Sequence, residues 1–236
     1  MKSSDMILAN NCYVYNKCGK YKNGNCNLGD TFCLKLFKIN ELYNKSLLTE
    51  KQRLHIPLYF DKDRTDSDKF ITLSNIEKNI VSFVESGKNI YLHSIIPGNG
   101  KSSWAIRMCQ AYINNIWHKS ALECKVLFIS VPRFLLAIKD NISNKSDYAE
   151  YIKENVLNAD LVVWDDIATK SATVFEAEHL LSYIDTRIND NKSNIYTSNL
   201  DANEIQEKLG PRLYSRIVNY STEIELNGKD KRGINR

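Results

Sequence analysis

The sequence lacks any apolar run approaching the roughly 18 residues that a membrane-spanning helix needs. Its first eleven residues also lack the apolar core of a secretory signal. We therefore expect a soluble, cytoplasmic protein with no membrane partner. Neither sign of charge dominates, because 32 basic and 28 acidic residues give a net charge of +4. This excess is too small to indicate nucleic-acid binding by itself.

Internal repeats and low-complexity segments are also missing, which leaves an ordinary globular chain. Hydrophobic residues make up 43% of the 236 residues, enough for a substantial core, so wholesale disorder is excluded. The length suits one domain of medium size with a small appendage.

Cysteine is present in an uneven pattern, with four of the six residues inside positions 12–33. In a reducing compartment these side chains are thiols or metal ligands rather than disulfides. Glycines between them let the chain turn around one ion, and four thiolates suit tetrahedral Zn²⁺. The spacing lacks tight C-x₂-C pairs, so four unrelated thiols remain the alternative. The predicted zinc ligands are Cys12, Cys18, Cys26 and Cys33.

Short apolar segments alternate with amphipathic ones from residue 73 onward, which predicts a parallel sheet covered by helices on both faces. The predicted strands are Asn89–Ser94, Lys125–Val131, Leu161–Trp164 and Asn194–Thr197. The predicted helices are Cys33–Leu48, Ser74–Ser86 with Ser74 as its cap, Lys101–His118, Pro132–Leu157 with a break near 141–145, and Ala177–Ile188. Residues 55–72 are interpreted as a linker.

A glycine-containing loop separates the first of these strands from the next helix. Such a loop can direct backbone N–H groups at a polyphosphate, with the helix N-terminus behind it. Lys101 would reach the β- and γ-phosphates, and the Ser102 hydroxyl would bind Mg²⁺. The usual pattern has glycine where this chain has Ile95. The predicted nucleotide-binding residues are Pro97, Gly98, Asn99, Gly100, Lys101, Ser102 and Ser103.

Two carboxylates follow the apolar strand Leu161–Trp164 directly. This places the pair at the carboxyl edge of a parallel sheet, where α/β proteins bind ligands. Asp165 is predicted to hold Mg²⁺ and Asp166 to polarise an attacking water. A pair of turn-capping aspartates is the structural alternative.

Polar groups also end the strand Asn194–Thr197, so Thr197 or Asn199 could contact the γ-phosphate or the water. The alternative is that Asn199 simply begins a turn.

Further along, Arg212 and Arg216 are four residues apart and would share a helical face. Such arginines can act on a phosphoryl group across a subunit boundary, or they can form a solvated basic helix end.

The order of these blocks resembles that in the AAA+ helicase loaders of the DnaC/DnaI type, especially the phage-encoded versions. These loaders belong to the DnaC/DnaI/IstB branch of P-loop ATPases. The blocks that carry the resemblance are PGNGKSSWA, LVVWDDI, IYTSN and LGPRLYSRI. The resemblance covers about residues 56–236. It implies a P-loop AAA+ ATPase domain at 56–236, three layers of α/β/α, behind a small cysteine-rich, partner-binding domain at 1–55.

The resemblance also implies a role for each matched residue. Lys101 and Ser102 match the Walker A pair, and Asp165 and Asp166 match Walker B. Asn199 is similar to the sensor 1 residue. Arg216, with Arg212 as second candidate, is similar to the arginine finger, and Arg232 to the sensor 2 arginine.

In functional terms the resemblance implies an ATPase that needs ATP and Mg²⁺, turns over slowly, and is stimulated by assembly or DNA. It implies three partners: a replicative helicase, single-stranded DNA and further copies of the chain in an ATP-dependent homo-oligomer. Two alternatives remain, an IstB-type transposition helper acting on duplex DNA and a P-loop small-molecule kinase. The cysteine-rich front disfavours the helper, and the Asp pair and Arg212/Arg216 disfavour the kinase.

Overall fold

The computed structural model describes residues 33–56, 58, 65–140, 146–168 and 173–231, together with the backbone of residues 21–22 and 25–26. The strands are β1 (Tyr21–Lys22), β2 (Asn25–Cys26), β3 (Ile90–His93), β4 (Val126–Ser130), β5 (Leu161–Asp165), β6 (Ser193–Ser198) and β7 (Thr222–Glu225). The helices are α1 (Leu34–Lys45), α2 (Glu50–Arg53), α3 (Ser67–Lys78), α4 (Ile80–Glu85), α5 (Lys101–Ile116), α6 (Val131–Asp140), α7 (Asp147–Asn155), α8 (Val174–Asn189), α9 (Ala202–Leu209) and α10 (Pro211–Tyr214).

Five parallel strands form the main sheet, in the order β4-β5-β6-β3-β7. The register pairs His93 with Ser198 and Ser130 with Asp165. The carboxyl ends of β3, β4, β5 and β6 therefore lie along one edge of the sheet, where the loops that follow them can form a single site.

The strand side chains alternate between two hydrophobic cores, one on each face of the sheet. Ile90, Leu92 and Val163 face the core that contains α1, α3, α4 and α5. Tyr91 and Trp164 face the core that contains α6, α7, α8, α9 and α10. The predicted three-layer α/β/α arrangement with a parallel sheet is confirmed.

Most predicted elements lie where the sequence pattern placed them, including the first four strands of the main sheet and the helix that follows the glycine loop. Helix α8 begins earlier than predicted. Thr173 accepts a hydrogen bond from the backbone of Glu176, whose side chain bonds back to Thr173, so the pair forms a capping box at the true start.

The structure differs from the sequence analysis at both ends of the domain. The helix predicted to begin at Ser74 begins at Ser67, so Ser74 lies inside α3 and caps nothing. Phe70 and Leu73, in the part of α3 that precedes Ser74, are buried on its apolar face. The sequence also gave no prediction for β7, an edge strand in which Ile224 alone is buried.

The front of the chain is described in part. Cys33 is the N-cap of helix α1, and its sulfur accepts a hydrogen bond from the backbone of Leu36 at 3.5 Å. Leu36 and Ile39 belong to the same hydrophobic core as the sheet. The division of the chain at residues 55 and 56 stays a prediction.

Candidate functional site

The glycine loop runs from the end of β3 to the start of α5. Gly98 has φ +74° and Gly100 has φ +113°, left-handed values that a side chain rarely adopts, so the loop needs glycine at both positions. Ile95, where the usual pattern has glycine, has a side chain that is 67% exposed. Pro97 is also exposed, and Ser102 and Ser103 lie in the first turn of α5.

Lys101 is the first residue of α5 and its side chain is only 6% exposed. Its Nζ lies 3.2 Å from the carbonyl oxygen of Ile96 and 3.4 Å from both the Ser94 carbonyl oxygen and Asn99 Oδ1. The ammonium is therefore held inside the loop, beside the N-terminal N–H groups of a 16-residue helix. The helix dipole and the ammonium together favour an anion with several phosphates.

Asn99 fixes the shape of the loop from within. Its Nδ2 donates to Ser94 Oγ at 2.6 Å and to the carbonyl oxygen of Leu226 at 2.9 Å. Ser94 Oγ also accepts from the Ile96 backbone N–H at 3.0 Å. Sequence reasoning missed Ser94 and Leu226 as supports of the loop, and the 127-residue separation between Asn99 and Leu226 left no local signal for the second.

The predicted Walker B carboxylate, Asp165, ends β5 next to the phosphate loop. Its side chain accepts a hydrogen bond from Thr197 Oγ1 at 2.7 Å. Burial raises the pKa of the Asp165 carboxyl above its ordinary value. The Thr197 hydrogen bond, the Ser102 hydroxyl and the charge of Lys101 lower this pKa, while the charge of Asp166 adds to the rise.

The turn after Asp165 is strained and is held in place by β6. Asp166 has φ +57° and Ala168 has φ +64°, left-handed values that cost roughly 1–2 kcal/mol each for residues with a side chain. Thr197 secures this turn, because its hydroxyl accepts from the Asp166 N–H at 3.0 Å and its carbonyl from the Ile167 N–H at 2.9 Å. Asn199 Nδ2 lies 3.5 Å from Asp166 Oδ1. Strain maintained in this way is typical of functional sites.

The donor groups at this edge fit magnesium and a polyphosphate. The Ser102 hydroxyl lies close enough to the Asp165 carboxyl to lower its pKa, so two hard oxygen ligands lie near each other at the start of α5. Mg²⁺ bound with phosphates takes one or two protein oxygens and fills its remaining positions with phosphate oxygens and water. The loop, Lys101 and this oxygen pair converge on one place, as a nucleotide with its metal ion requires.

The two candidate arginines follow α9 in the chain. Arg212 is in α10, and Arg216 is in the π-helical turn Ser215–Asn219. Arg216 Nε lies 2.5 Å from Asp185 Oδ1 on α8, and its guanidinium lies over the Tyr220 ring at 5.2 Å. Both arginines line one pocket of about 290 Å³, as residues that share a face would.

Several predicted site residues lie outside the described residues: Cys12, Cys18 and Arg232. Cys26 is described by its backbone alone, and Cys33 is the N-cap of α1. Within the described part of the chain no group of three or more His, Cys, Asp or Glu side chains could hold a metal ion. The zinc site stays a prediction. The described helices include none with the length and apolar character to cross a membrane.

Comparison with known proteins gives matches over most of the chain. The family model described as IstB-like ATP binding protein matches residues 60–235. The replicative helicase loader DnaC of Escherichia coli (strain K12) is 27% identical over 145 residues, 61% of this chain. The match covers 53% of that protein, so the chain spans about half the length of the curated relative.

Solved structures share the fold. The DnaC helicase loader superposes with a TM-score of 0.56 at 20% identity, covering 78% of this chain and 98% of that one. A protein of Streptococcus pyogenes serotype M3, described as a primosome component, superposes with a TM-score of 0.59 at 20% identity. The superposition covers 81% of this chain and 98% of that one. At this identity the likeness supports the fold alone.

Proposed function

Because the chain belongs to the IstB-like ATP binding protein family, we propose that it is a helicase loader in DNA replication, switched by ATP binding and hydrolysis. The observation that supports the ATP switch is the Lys101 ammonium held inside the phosphate loop, beside an Asp165 carboxyl whose pKa responds to the charge of Lys101. The loading role is supported by the curated relative, which is a replicative helicase loader. We extend that role to this chain together with single-stranded DNA binding and ATP-dependent assembly.

In the proposed site each residue has one task. The loop from Pro97 to Ser103 would hold the phosphates through its backbone N–H groups, and Lys101 would contact the β- and γ-phosphates. Ser102 and Asp165 would hold Mg²⁺, which neutralises charge that develops on the phosphate oxygens. Asp166 would orient the attacking water, and Asn199, 3.5 Å from the Asp166 carboxylate, would position that water or the γ-phosphate.

The arginines are proposed to act on the nucleotide of a neighbouring copy. The contacts of Arg216 are to Asp185 and Tyr220 in its own protomer. In the proposed assembly a neighbouring protomer would bring its phosphate loop to this charge. One protomer alone should therefore hydrolyse ATP slowly. Arg232 is proposed as the sensor 2 residue from its place in the sequence.

The function is tested by co-elution with the cognate replicative helicase on size exclusion. We expect the wild-type chain to elute with the helicase in ATP and Mg²⁺ and separately in ADP. Lys101→Ala should elute separately in both nucleotides, because it lacks the ammonium that contacts the phosphates. Lys119→Ala, which removes an ammonium with 61% side-chain exposure, is the matched control and should behave as wild type. Separate elution of the wild type under every condition would contradict the loader.

The trans role of Arg216 predicts a specific kinetic defect. Arg216→Ala should bind ATP normally. When the concentration of protein or of single-stranded DNA is raised, however, its turnover rate should stay within about twofold of the rate measured at low protein concentration without DNA. Wild type should accelerate under the same titration. The measurement is phosphate release against protein concentration, with Lys208→Ala on the neighbouring helix as the matched control. Acceleration of Arg216→Ala equal to that of wild type would leave Arg212 as the candidate.

A transposition helper is the second candidate, favoured by the IstB-like family description. It would act on duplex DNA and would need no helicase. Titration with single-stranded and duplex DNA of one sequence distinguishes the two functions. ATP-dependent preference for duplex DNA, together with separate elution from the helicase, would favour the helper.

A further inference from the structure

Asp66 sits at the N-cap of α3, where an aspartate ordinarily accepts hydrogen bonds from its own helix. Here its side chain makes no capping bond. The carboxylate instead accepts from the backbone N–H of Asn227 at 2.9 Å and of Gly228 at 2.7 Å, and the residue is only 5% exposed. A buried carboxylate therefore binds backbone that is 161 and 162 residues away rather than its own helix.

The segment that Asp66 binds crosses the phosphate loop. We call residues 226–231 the C-terminal strap. At its start, the Leu226 N–H donates to the carbonyl of His93 at 2.9 Å, and the Leu226 carbonyl accepts from Asn99 Nδ2 at 2.9 Å. At its end, the Lys231 N–H donates to the carbonyl of Gly98 at 3.0 Å. Both ends of the strap are thus bonded to the phosphate loop or to the strand leading into it.

The strap also contacts α3 through a side chain. The Lys231 ammonium lies 5.2 Å from the centre of the Phe70 ring, one turn into the helix that Asp66 begins. The strap is therefore fixed against α3 at its middle by a carboxylate and at its end by a ring.

These bonds set the direction of groups that a nucleotide would meet. In a planar trans peptide the C=O and the following N–H point in opposite directions. Because the Gly98 carbonyl points at the strap, the Asn99 N–H points away from it. The same strap engages the amide of Asn99, whose Oδ1 lies 3.4 Å from the Lys101 ammonium. The strap thereby fixes both a backbone donor and the surroundings of the lysine.

We propose that Asp66 is a positioning residue for nucleotide binding, which it supports by holding the C-terminal strap against Gly98 and Asn99 of the phosphate loop. This inference rests on the proposed ATP site. Asp66 itself contacts the strap, and the residues of the phosphate loop would contact the phosphates. Its two bonds are charge-assisted, so an uncharged side chain at this position would hold the strap less firmly.

Titration with a fluorescent ATP analogue in Mg²⁺ tests the proposal on the full chain. Asp66→Asn keeps the side-chain shape but sets an amide NH₂ against one of the two N–H donors, and we expect affinity to fall about tenfold. Asp68→Asn, two residues along α3 with 69% side-chain exposure, is the matched control and should change affinity by less than about twofold. Thermal unfolding of each variant is recorded alongside.

A double-mutant cycle with Asn99→Ala separates positioning from general destabilisation. If Asp66 acts through the bond between Leu226 and Asn99, the double variant should lose little more affinity than the weaker-binding single variant. Independent effects that multiply would overturn the proposal, as would Asp66→Asn with wild-type affinity. If Asp66→Asn does not fold, Gly228→Pro removes one of the two N–H donors, and Gly228→Ala retains it as control. Equal affinity of those two would again contradict the positioning role.

The outcomes also distinguish this inference from the proposed function. A wild-type chain that ignores the ATP analogue overturns both. A wild-type chain that binds it, beside an Asp66→Asn variant that binds equally well, overturns the positioning role alone.

Discussion

Asp166→Asn is expected to lower ATP turnover by about 100-fold or more while ATP affinity stays within about threefold of wild type. Asparagine keeps the shape of the side chain and removes the charge that would orient and polarise the attacking water. It also tolerates the left-handed backbone at this position, φ +57°, better than most residues. The loss should therefore report the chemistry of the carboxylate rather than a collapsed turn.

Two measurements on the same protein check this expectation. Single-turnover phosphate release gives the chemical rate, and titration with a fluorescent ATP analogue gives the affinity. Asp190→Asn removes an exposed carboxylate at the end of α8 and is the matched control. Loss of affinity as large as the loss of rate would show that Asp166 supports the site rather than the reaction. Unchanged turnover would remove Asp166 from the mechanism.

Replacement by alanine would be a poorer test, because the turn is strained. Alanine at φ +57° lacks the local hydrogen bonding that helps Asp and Asn occupy the left-handed region. Its effect would mix a missing carboxylate with a displaced backbone. Asp166→Glu is more informative, because it keeps the carboxylate and lengthens the side chain by one methylene. A rate above that of wild type would show that the shorter aspartate side chain limits how well the water is placed.

The sheet and the position of the site were predictable because their signals are local. Each buried parallel strand is a short apolar run, and the loop after it carries the polar groups. Asp165 and Thr197 come together because each lies at the carboxyl end of its strand, in the order that the register requires. Thr197 was one of two candidates at the carboxyl end of β6, and the sequence could not show that its hydroxyl would join Asp165 to the next turn.

The elements that were missed depend on partners far away in the chain. The start of α3 was hidden because its charged residues resemble a linker, and because its cap, Asp66, bonds to residues 227 and 228 instead of its own helix. Strand β7 was hidden because charged and polar residues surround its single buried residue, Ile224. Strand β7 lacks the alternation of apolar residues typical of a strand, and the start of α3 lacks a local capping bond, so tertiary contacts decide both.

Arg187 shows most clearly that the sequence alone does not reveal contacts between distant parts of the chain. In sequence it is a cation in the last turn of α8, a position that usually faces solvent near the helix C-terminus. In the structure its exposure is 0%. Burial lowers the pKa of the guanidinium to about 10, so it remains charged at neutral pH. A buried charge of this kind persists only where hydrogen bonds satisfy it.

The guanidinium of Arg187 joins three parts of the fold through four acceptors. Its Nε donates to Asn194 Oδ1 at 2.8 Å, and its Nη2 to the Ser193 carbonyl at 2.6 Å. Its Nη1 donates to the carbonyls of Val156 at 2.5 Å and Ala159 at 2.8 Å. The group thus connects the end of α8 with the start of β6 and with the turn between α7 and β5.

Arg187→Met is therefore expected to destabilise the fold by about 3–5 kcal/mol, because methionine donates to none of the four buried acceptors. Asn194 Oδ1 keeps its hydrogen bond from Trp164 Nε1, but the three carbonyls lose a charged donor. For a chain of this size the unfolding temperature should fall by roughly 10 °C. Urea unfolding should show a lower midpoint with an unchanged slope. Lys119→Met breaks an exposed pair with Glu85 at 3.4 Å and should shift stability by less than about 0.5 kcal/mol. If Arg187→Met shifts the midpoint no further than Lys119→Met does, solvent must satisfy these acceptors, and the guanidinium does not hold this side of the sheet together.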